Sequence, residues 1–264
     1  MVKGIAISHE PVAPALPTIR RIGTTDLLDA LALGFDDFRT MPTHIVFMGM
    51  IYPVIGLLLG KVAVGDDLLP LLYPLIAGFA LIGPVTALGL YELSRRREQG
   101  LDTAWWHAAD VLKSPQIRAI EAVGALLLMI FLGWLWVAQS LYAEIFGAAP
   151  AQSIQDFLNA VLNTPQGLEL IMAGNLIGLG FAIVALAVSV VSFPLLLDRP
   201  VGATVAVLTS IRAVMVNPRP MALWGLIVAG CLIMGSVPFF IGLAVLVPIL
   251  GHATWHLYRK MVQP

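Results

Sequence analysis

Residues 189–224, SVVSFPLLLDRPVGATVAVLTSIRAVMVNPRPMALW, decide the fold. The stretch leaves one apolar segment, turns at Asp198-Arg199-Pro200, runs along an amphipathic helix, breaks at Asn217-Pro218 and enters the next apolar segment. Proline ends each helical run because it lacks an N–H and pushes the preceding residue out of the helical region. Two other places in the chain read the same way, so the stretch is one copy of a repeating unit.

The rest of the composition suits such a unit. Of 264 residues, 59% are hydrophobic and only 12% charged, with a mean hydropathy of +0.90. Globular domains carry about 25% charged residues, so the chain belongs in a membrane. The net charge of -1 and the lack of any basic tract exclude nucleic acid as a partner. The single Cys231 excludes an intramolecular disulfide framework and a thiolate-rich metal cluster. Residues 1–23 have no continuous apolar run and carry Pro11, Pro14 and Pro17, so they read as a flexible cytoplasmic tail rather than a signal peptide.

Residues 24–264 read as one membrane domain. The spacing predicts an amphipathic helix over 24–38, with Leu27, Leu28, Leu31, Phe35 and Phe38 on one face, Asp26, Asp29, Asp36 and Asp37 mostly elsewhere, and Thr24 or Thr25 as N-cap. Crossings are expected at about 43–60, 68–93, 121–142, 170–197, 221–236 and 238–257. Two further amphipathic stretches fall at 100–113, closed by Ser114-Pro115, and at 201–216; a short helix at 153–162 interrupts the longest connection. The final apolar run is too long for one crossing and is divided at Gly235-Ser236-Val237-Pro238. With six crossings and both termini inside, Lys61 alone of the fifteen Lys and Arg residues falls outside, as the positive-inside rule demands. Five crossings would split the basic residues between the two sides.

Counting back from Pro42, Pro115 and Pro218, the fourth position is Phe38, Val111 and Val214, the seventh Phe35, Ala108 and Ile211, and the eleventh Leu31, Ala104 and Val207. These offsets lie on one helical face, which can rest on the inner membrane surface or on the bundle. A second register pairs Gly78, Pro84, Tyr91 and Arg95 with Gly242, Pro248, Trp255 and Arg259. The expected fold is therefore all-α: a polytopic membrane helical bundle of six transmembrane helices in three pseudo-repeats, each an amphipathic helix plus two spans.

Candidate sites are few. Gly174, Gly178 and Ala182 form a small-xxx-small face for helix packing within the bundle. His252 and His256 share a helical face, and topology brings His44 and His107 to the same side; these histidines are the candidates for a metal. No carboxylate or thiolate spacing supports them, and an interfacial His hydrogen-bonds there without a metal, so neither metal nor cofactor is assigned. Glu92, Glu121, Glu144 and Glu169 stand at span ends, and the deepest polar groups, Gln139, Asn175, Thr86, Ser189 and Ser192, suit interhelical hydrogen bonds; both facts count against an ion-coupled transporter. No metalloprotease, nucleophile-elbow, P-loop or dinucleotide motif is present. Arg95, Arg96 and Arg97 could contact anionic lipid, although a stop-transfer role already accounts for them.

The run 192–218, SFPLLLDRPVGATVAVLTSIRAVMVNP, resembles the signature region of a family of bacterial integral membrane proteins catalogued as domain of unknown function 2189. The likeness extends more loosely from the first amphipathic helix through the sixth span, with Trp105-Trp106 and Gly83-Pro84 in familiar places. It implies a multi-span protein of the bacterial inner membrane and no established activity. Members are sometimes labelled as similar to cytochrome c oxidase subunit I. A haem-copper core needs many more crossings and several mid-membrane His ligands, and the five His here lie outside the spans or near one surface, so a redox core is rejected. The resulting expectation is a non-enzymatic accessory, assembly or envelope protein. Its partners would be the lipid bilayer and a larger membrane complex such as a respiratory oxidase. A small-molecule permease or channel is the alternative, and an enzyme acting on lipid comes third. A wide polar cavity would favour the permease; a solid core with an exposed apolar flank would favour the scaffold.

Overall fold

The computed structural model describes residues 16–41, 69–147, 154–237 and 240–263. The first expected crossing, His44, Pro42 and residues 1–15 lie outside them. Every regular element described is helical, apart from one antiparallel bridge between Ile19 and Val262.

Helix α1 (Thr24–Thr40) starts after Gly23, whose N–H donates to the Asp26 carboxylate at 2.9 Å. The N-terminal anchor is thus this backbone-to-Asp26 bond rather than a Thr24 or Thr25 cap. Helices α2 (Leu69–Phe79), α3 (Gly83–Thr86) and α4 (Leu88–Glu98) follow one another through a 3₁₀ turn at Ala80–Ile82. The interruption precedes Pro84, which has no N–H to continue an α-helical ladder. Trp105–Lys113 forms a 3₁₀ helix, and α5 (Ile117–Phe146) ends at Gly147, whose φ of 87° few other residues adopt. Helix α6 (Ile154–Asn163) matches the short helix expected at 153–162. Thr164 then caps α7 (Pro165–Ser189), its hydroxyl accepting from the Gly167 N–H at 3.0 Å, with Pro165 in the first turn. Pro194 breaks the run between α7 and α8 (Ser192–Asp198), and the Val191 N–H donates at 3.1 Å to Ser210 Oγ on α9 (Ala203–Val216). Helices α10 (Pro218–Ser236) and α11 (Leu243–Met261) complete the chain.

Among the described residues, four helical stretches are long and apolar enough to cross a membrane: Pro70–Glu98, Ile117–Phe146, Pro165–Asp198 and Pro218–Ser236. They correspond to the second through fifth expected crossings. Helix α11, expected as the sixth, is not among them. Its C-terminal half carries His252, His256, Arg259 and Lys260 and is enclosed by protein, with Leu250, Trp255, Leu257 and Tyr258 all buried.

That enclosed half is the centre of the molecule. Helix α1 lies along it, with Ala30 and Gly34 over Ala253; a Cβ on Gly34 would stand 2.5 Å from the Ala253 backbone nitrogen. Helices α4 and α8 close other sides, and Trp224 and Met221 at the start of α10 belong to the same core. Gly89 lets the 3₁₀ helix settle on α4, because a Cβ there would meet Ala108 Cβ at 2.8 Å.

The sides of α1 and α9 that face protein are not the apolar stripes counted back from the prolines, which were expected to rest on the inner membrane surface or on the bundle. In α1 the buried residues are Leu27, Ala30, Gly34 and Asp37, whereas Leu28 is 63% and Phe35 48% exposed. In α9 the buried residues are Ala206, Thr209, Ser210 and Ala213, with Val207, Ile211 and Val214 only half-buried. Small and polar residues turn inward because they permit close backbone approach and find partners there, while bulky apolar residues are at no disadvantage against lipid. In the middle stretch the helix is 3₁₀, so an α-helical offset of four does not define its face; of its three expected positions only Val111 is buried.

Candidate functional site

The crossings bring their charged ends together at one end of the bundle, in three linked groups. The first centres on Asp37, buried against α11. Its carboxylate accepts from Ser94 Oγ at 2.5 Å, from His256 Nε2 at 2.8 Å and from Arg97, which also holds Asp36 at 2.7 Å. Because the carboxylate only accepts, the single hydroxyl proton of Ser94 goes to it, and His252 Nδ1–H must donate to Ser94 Oγ at 2.8 Å. That leaves His252 Nε2 buried without a partner among the described residues. Burial opposes the charge on Asp37, but the bonds from His256, Ser94 and Arg97 outweigh it and hold the carboxyl at about 2.

A second group ties α4, α8 and α11. Asp198 accepts from Tyr258 Oη at 2.5 Å and pairs with Arg259 at 3.3 Å; Arg259 also reaches Glu98 at 3.0 Å, and Trp255 Nε1 donates to Glu98 at 3.2 Å. Asn217, the other polar mark of the opening stretch, is buried and accepts from the Ile22 N–H at 2.9 Å while donating to the Arg20 carbonyl at 3.1 Å. Residues 16–23, counted with the flexible tail, are therefore fastened to Asn217 and to the chain end, where Arg20 N–H meets the Met261 carbonyl at 2.8 Å.

The third is a cavity of about 260 Å³ between α4, the 3₁₀ helix and the residues leading into α5, lined by Glu92, Arg95, Arg96, Asp110, Lys113 and Leu197 among others. Arg95 forms a two-bond pair with Glu92 at 2.8 Å, and Arg96 donates to the Asp102 carbonyl at 2.6 Å. Asp110 takes Lys113 at 2.7 Å and His107 at 2.6 Å, and these bonds hold its carboxyl down at about 2.

Of the residues singled out from sequence, His252 and His256 do converge, on Asp37 through Ser94 and directly. No three His, Cys, Asp or Glu among the described residues group as metal ligands. The arginine triplet separates: Arg95 and Arg96 face the cavity, while Arg97 turns to α1. Gly178 packs on the Trp134 indole, where a Cβ would stand 3.0 Å from the ring; Gly174 has ordinary room beside Leu141, and Ala182 is exposed. Of the deep polar groups, Asn175 makes an interhelical bond, accepting from Tyr73 Oη at 2.8 Å, whereas Thr86, Ser189 and Ser192 bond within their own helical segments. Asp37, Ser94 and Asp198 carry little local signal of a site: Asp37 is one of four aspartates on an amphipathic helix, and Asp198 reads as a turn residue.

The family model described as a predicted integral membrane protein (DUF2189) matches residues 72–198. Residues 72–198 belong to that family. The match runs from the second crossing to the end of α8 and takes in Ser94, the arginine triplet, the cavity-lining residues and Asp198. It stops within the run 192–218, so α9 and Asn217 lie beyond it. No curated protein and no solved structure matches the chain.

Proposed function

We propose that this chain is a non-enzymatic accessory, assembly or envelope protein of the bacterial inner (plasma) membrane that acts through protein or lipid partners. Six crossings in three units, with both termini cytoplasmic, form the proposed topology; the distribution of Lys and Arg supports it. The observation that carries the functional reading is a solid core beside thinly covered crossings. Phe193, Trp224, Trp255 and Tyr258 fill the centre with almost no exposure, yet only 17–39% of each apolar span window is buried. Leu128, Met129, Trp136, Leu176, Leu179, Leu226 and Ile233 stand outward on α5, α7 and α10. Such flanks suit lipid or the helices of another protein, and the side chains that fill the centre among the described residues favour this reading over a solute path.

Gentle native extraction of the tagged protein from its own membrane, followed by identification of what stays bound, tests this reading. Stoichiometric recovery of a membrane complex, such as a respiratory oxidase, or of a selected lipid is expected. Recovery of the protein alone with lipid at bulk composition overturns it and favours a small-molecule permease or channel, to be pursued by uptake assays.

A further inference from the structure

We propose that the cavity between α4, the 3₁₀ helix and the start of α5 seats the phosphate of an anionic phospholipid. The inference rests on the lipid side of the functional reading above and names the chemistry and the residues.

Position is the first argument. Three of the four apolar crossings meet at the cavity: Pro70–Glu98 contributes Arg95 and Arg96, Pro165–Asp198 contributes Leu197, and Ser114 and Pro115 lead directly into Ile117–Phe146. A cavity where hydrophobic crossings end lies at the depth of the lipid headgroups. The 3₁₀ helix that forms its wall exposes Trp105 and Trp106, each 57%, whose amphipathic rings favour the membrane–water boundary, and beside them the apolar Leu112, 72%.

Donor chemistry is the second. Arg95, Arg96 and Lys113 line the cavity with Glu92 and Asp110, three cations against two carboxylates, while the Asp198 and Asp102 carboxylates act on Arg95 and Arg96 from outside the lining. Each guanidinium has five N–H donors. Arg95 commits two of them, both to Glu92, and Arg96 two, to the Asp102 carbonyl and to Asp110. Donors remain on both forks, in the planar arrangement that phosphate oxygens match. Lys113 pairs with Asp110 and is 81% exposed at the mouth, where its stem can lie along the membrane surface with its ammonium at a phosphate. The cavity volume accepts a phosphodiester but not acyl chains, which would continue past Trp105, Trp106 and Leu112 into the bilayer.

The test uses the full chain in mild detergent, with retention of dioleoyl phosphatidylglycerol, dioleoyl phosphatidylcholine or inorganic phosphate read by native mass spectrometry and by melting temperature. Phosphatidylglycerol is expected to be retained and to raise the melting temperature, and the other two probes to do neither. Lys113→Glu should lower that retention about tenfold. Arg118→Glu, at a residue 91% exposed just beyond the cavity, should change it by less than about twofold. Equal losses in the two variants would mean diffuse surface attraction, and no loss in either would leave the cavity without a role; both outcomes overturn the proposal. Inorganic phosphate that displaces the lipid and stabilises the protein by itself overturns it in favour of a soluble anion. If Lys113→Glu keeps its lipid while native extraction still recovers a protein complex, the cavity proposal falls and the accessory reading stands; if extraction yields no protein partner but the lipid effect is found, the reverse assignment holds for its protein half.

Discussion

The charged end of the bundle and the apolar shafts are built on opposite terms. At the charged end, α1 and α11 meet at Gly34 and Ala253, and Asp37, Glu98, Asp198 and Lys260 each take a partner from a different helix. Along the shafts, α5, α7 and α10 touch on one side only, and large apolar groups point outward. Lipid tails are as apolar as leucine, so burying such groups between shafts adds little beyond shape and dispersion. Buried charges have no such indifference: each must be paired or it costs several kcal/mol. The charged end should therefore be sensitive to single changes, and the shafts tolerant.

The sharpest way to break this contrast is the same substitution in both regions. Gly34→Leu would force a side chain into the Ala253 backbone and is expected to cost about 3 kcal/mol or more, lowering folded yield on size-exclusion chromatography. Gly180→Leu, where a Cβ would meet nothing within 4 Å among the described residues, should stay within about 0.5 kcal/mol of the parent. Equal losses would erase the distinction.

Next in size is Asp37→Asn, which removes the carboxylate that three helices share and should cost about 2–3 kcal/mol in thermal melts. The same group sets a pH dependence. Its carboxyl sits at about 2 in the folded protein against 3.8 ordinarily, so the unfolded chain binds the proton first as pH falls. The stabilisation is present above about pH 4 and is lost on the way down to pH 2, by about 2 kcal/mol. Melting curves of the parent should fall faster across that window than those of Asp37→Asn; parallel curves would remove Asp37 as the cause.

Asn217→Ala should cost about 1–2 kcal/mol and, more specifically, free residues 16–23, so that trypsin cuts after Arg20 and Arg21 faster than in the parent. Smallest is Tyr73→Phe, which removes the bond to Asn175 between exposed side chains of α2 and α7 and is expected to shift stability by about 0.6 kcal/mol or less. A larger drop would show that the shafts depend on specific polar contacts after all.

Much of the fold was legible in local pattern. The second through fifth crossings, the short helix at Ile154–Asn163 and the breaks at Asp198 and Asn217 fall within a few residues of where apolar length, proline and turn residues put them. The site was legible only in part: His252, His256 and the arginine triplet stand out in the sequence, but not the partners they meet. Asp37 meets His256 from 219 positions away and Ser94 from 57, and no spacing rule reaches that far. Which side of α1 meets protein was not legible either: the apolar stripe could lie on the membrane surface or on the bundle, and only the partner helix shows that Gly34 takes the close contact while Leu28 and Phe35 stay exposed.

By itself, then, the sequence determined that this protein is a helical membrane protein, where four of its crossings fall, and which of their ends carry charge. Those properties follow from backbone desolvation, the missing proline N–H and side-chain transfer energies, all of which act residue by residue. Only the tertiary structure decided which side of each helix turns inward, that the C-terminal half of α11 is enclosed by protein, and that Asp37, Ser94, His252 and His256 form one network. In a bilayer, apolar groups gain nearly as much from lipid as from each other, so close backbone approach and the pairing of distant charges select the arrangement.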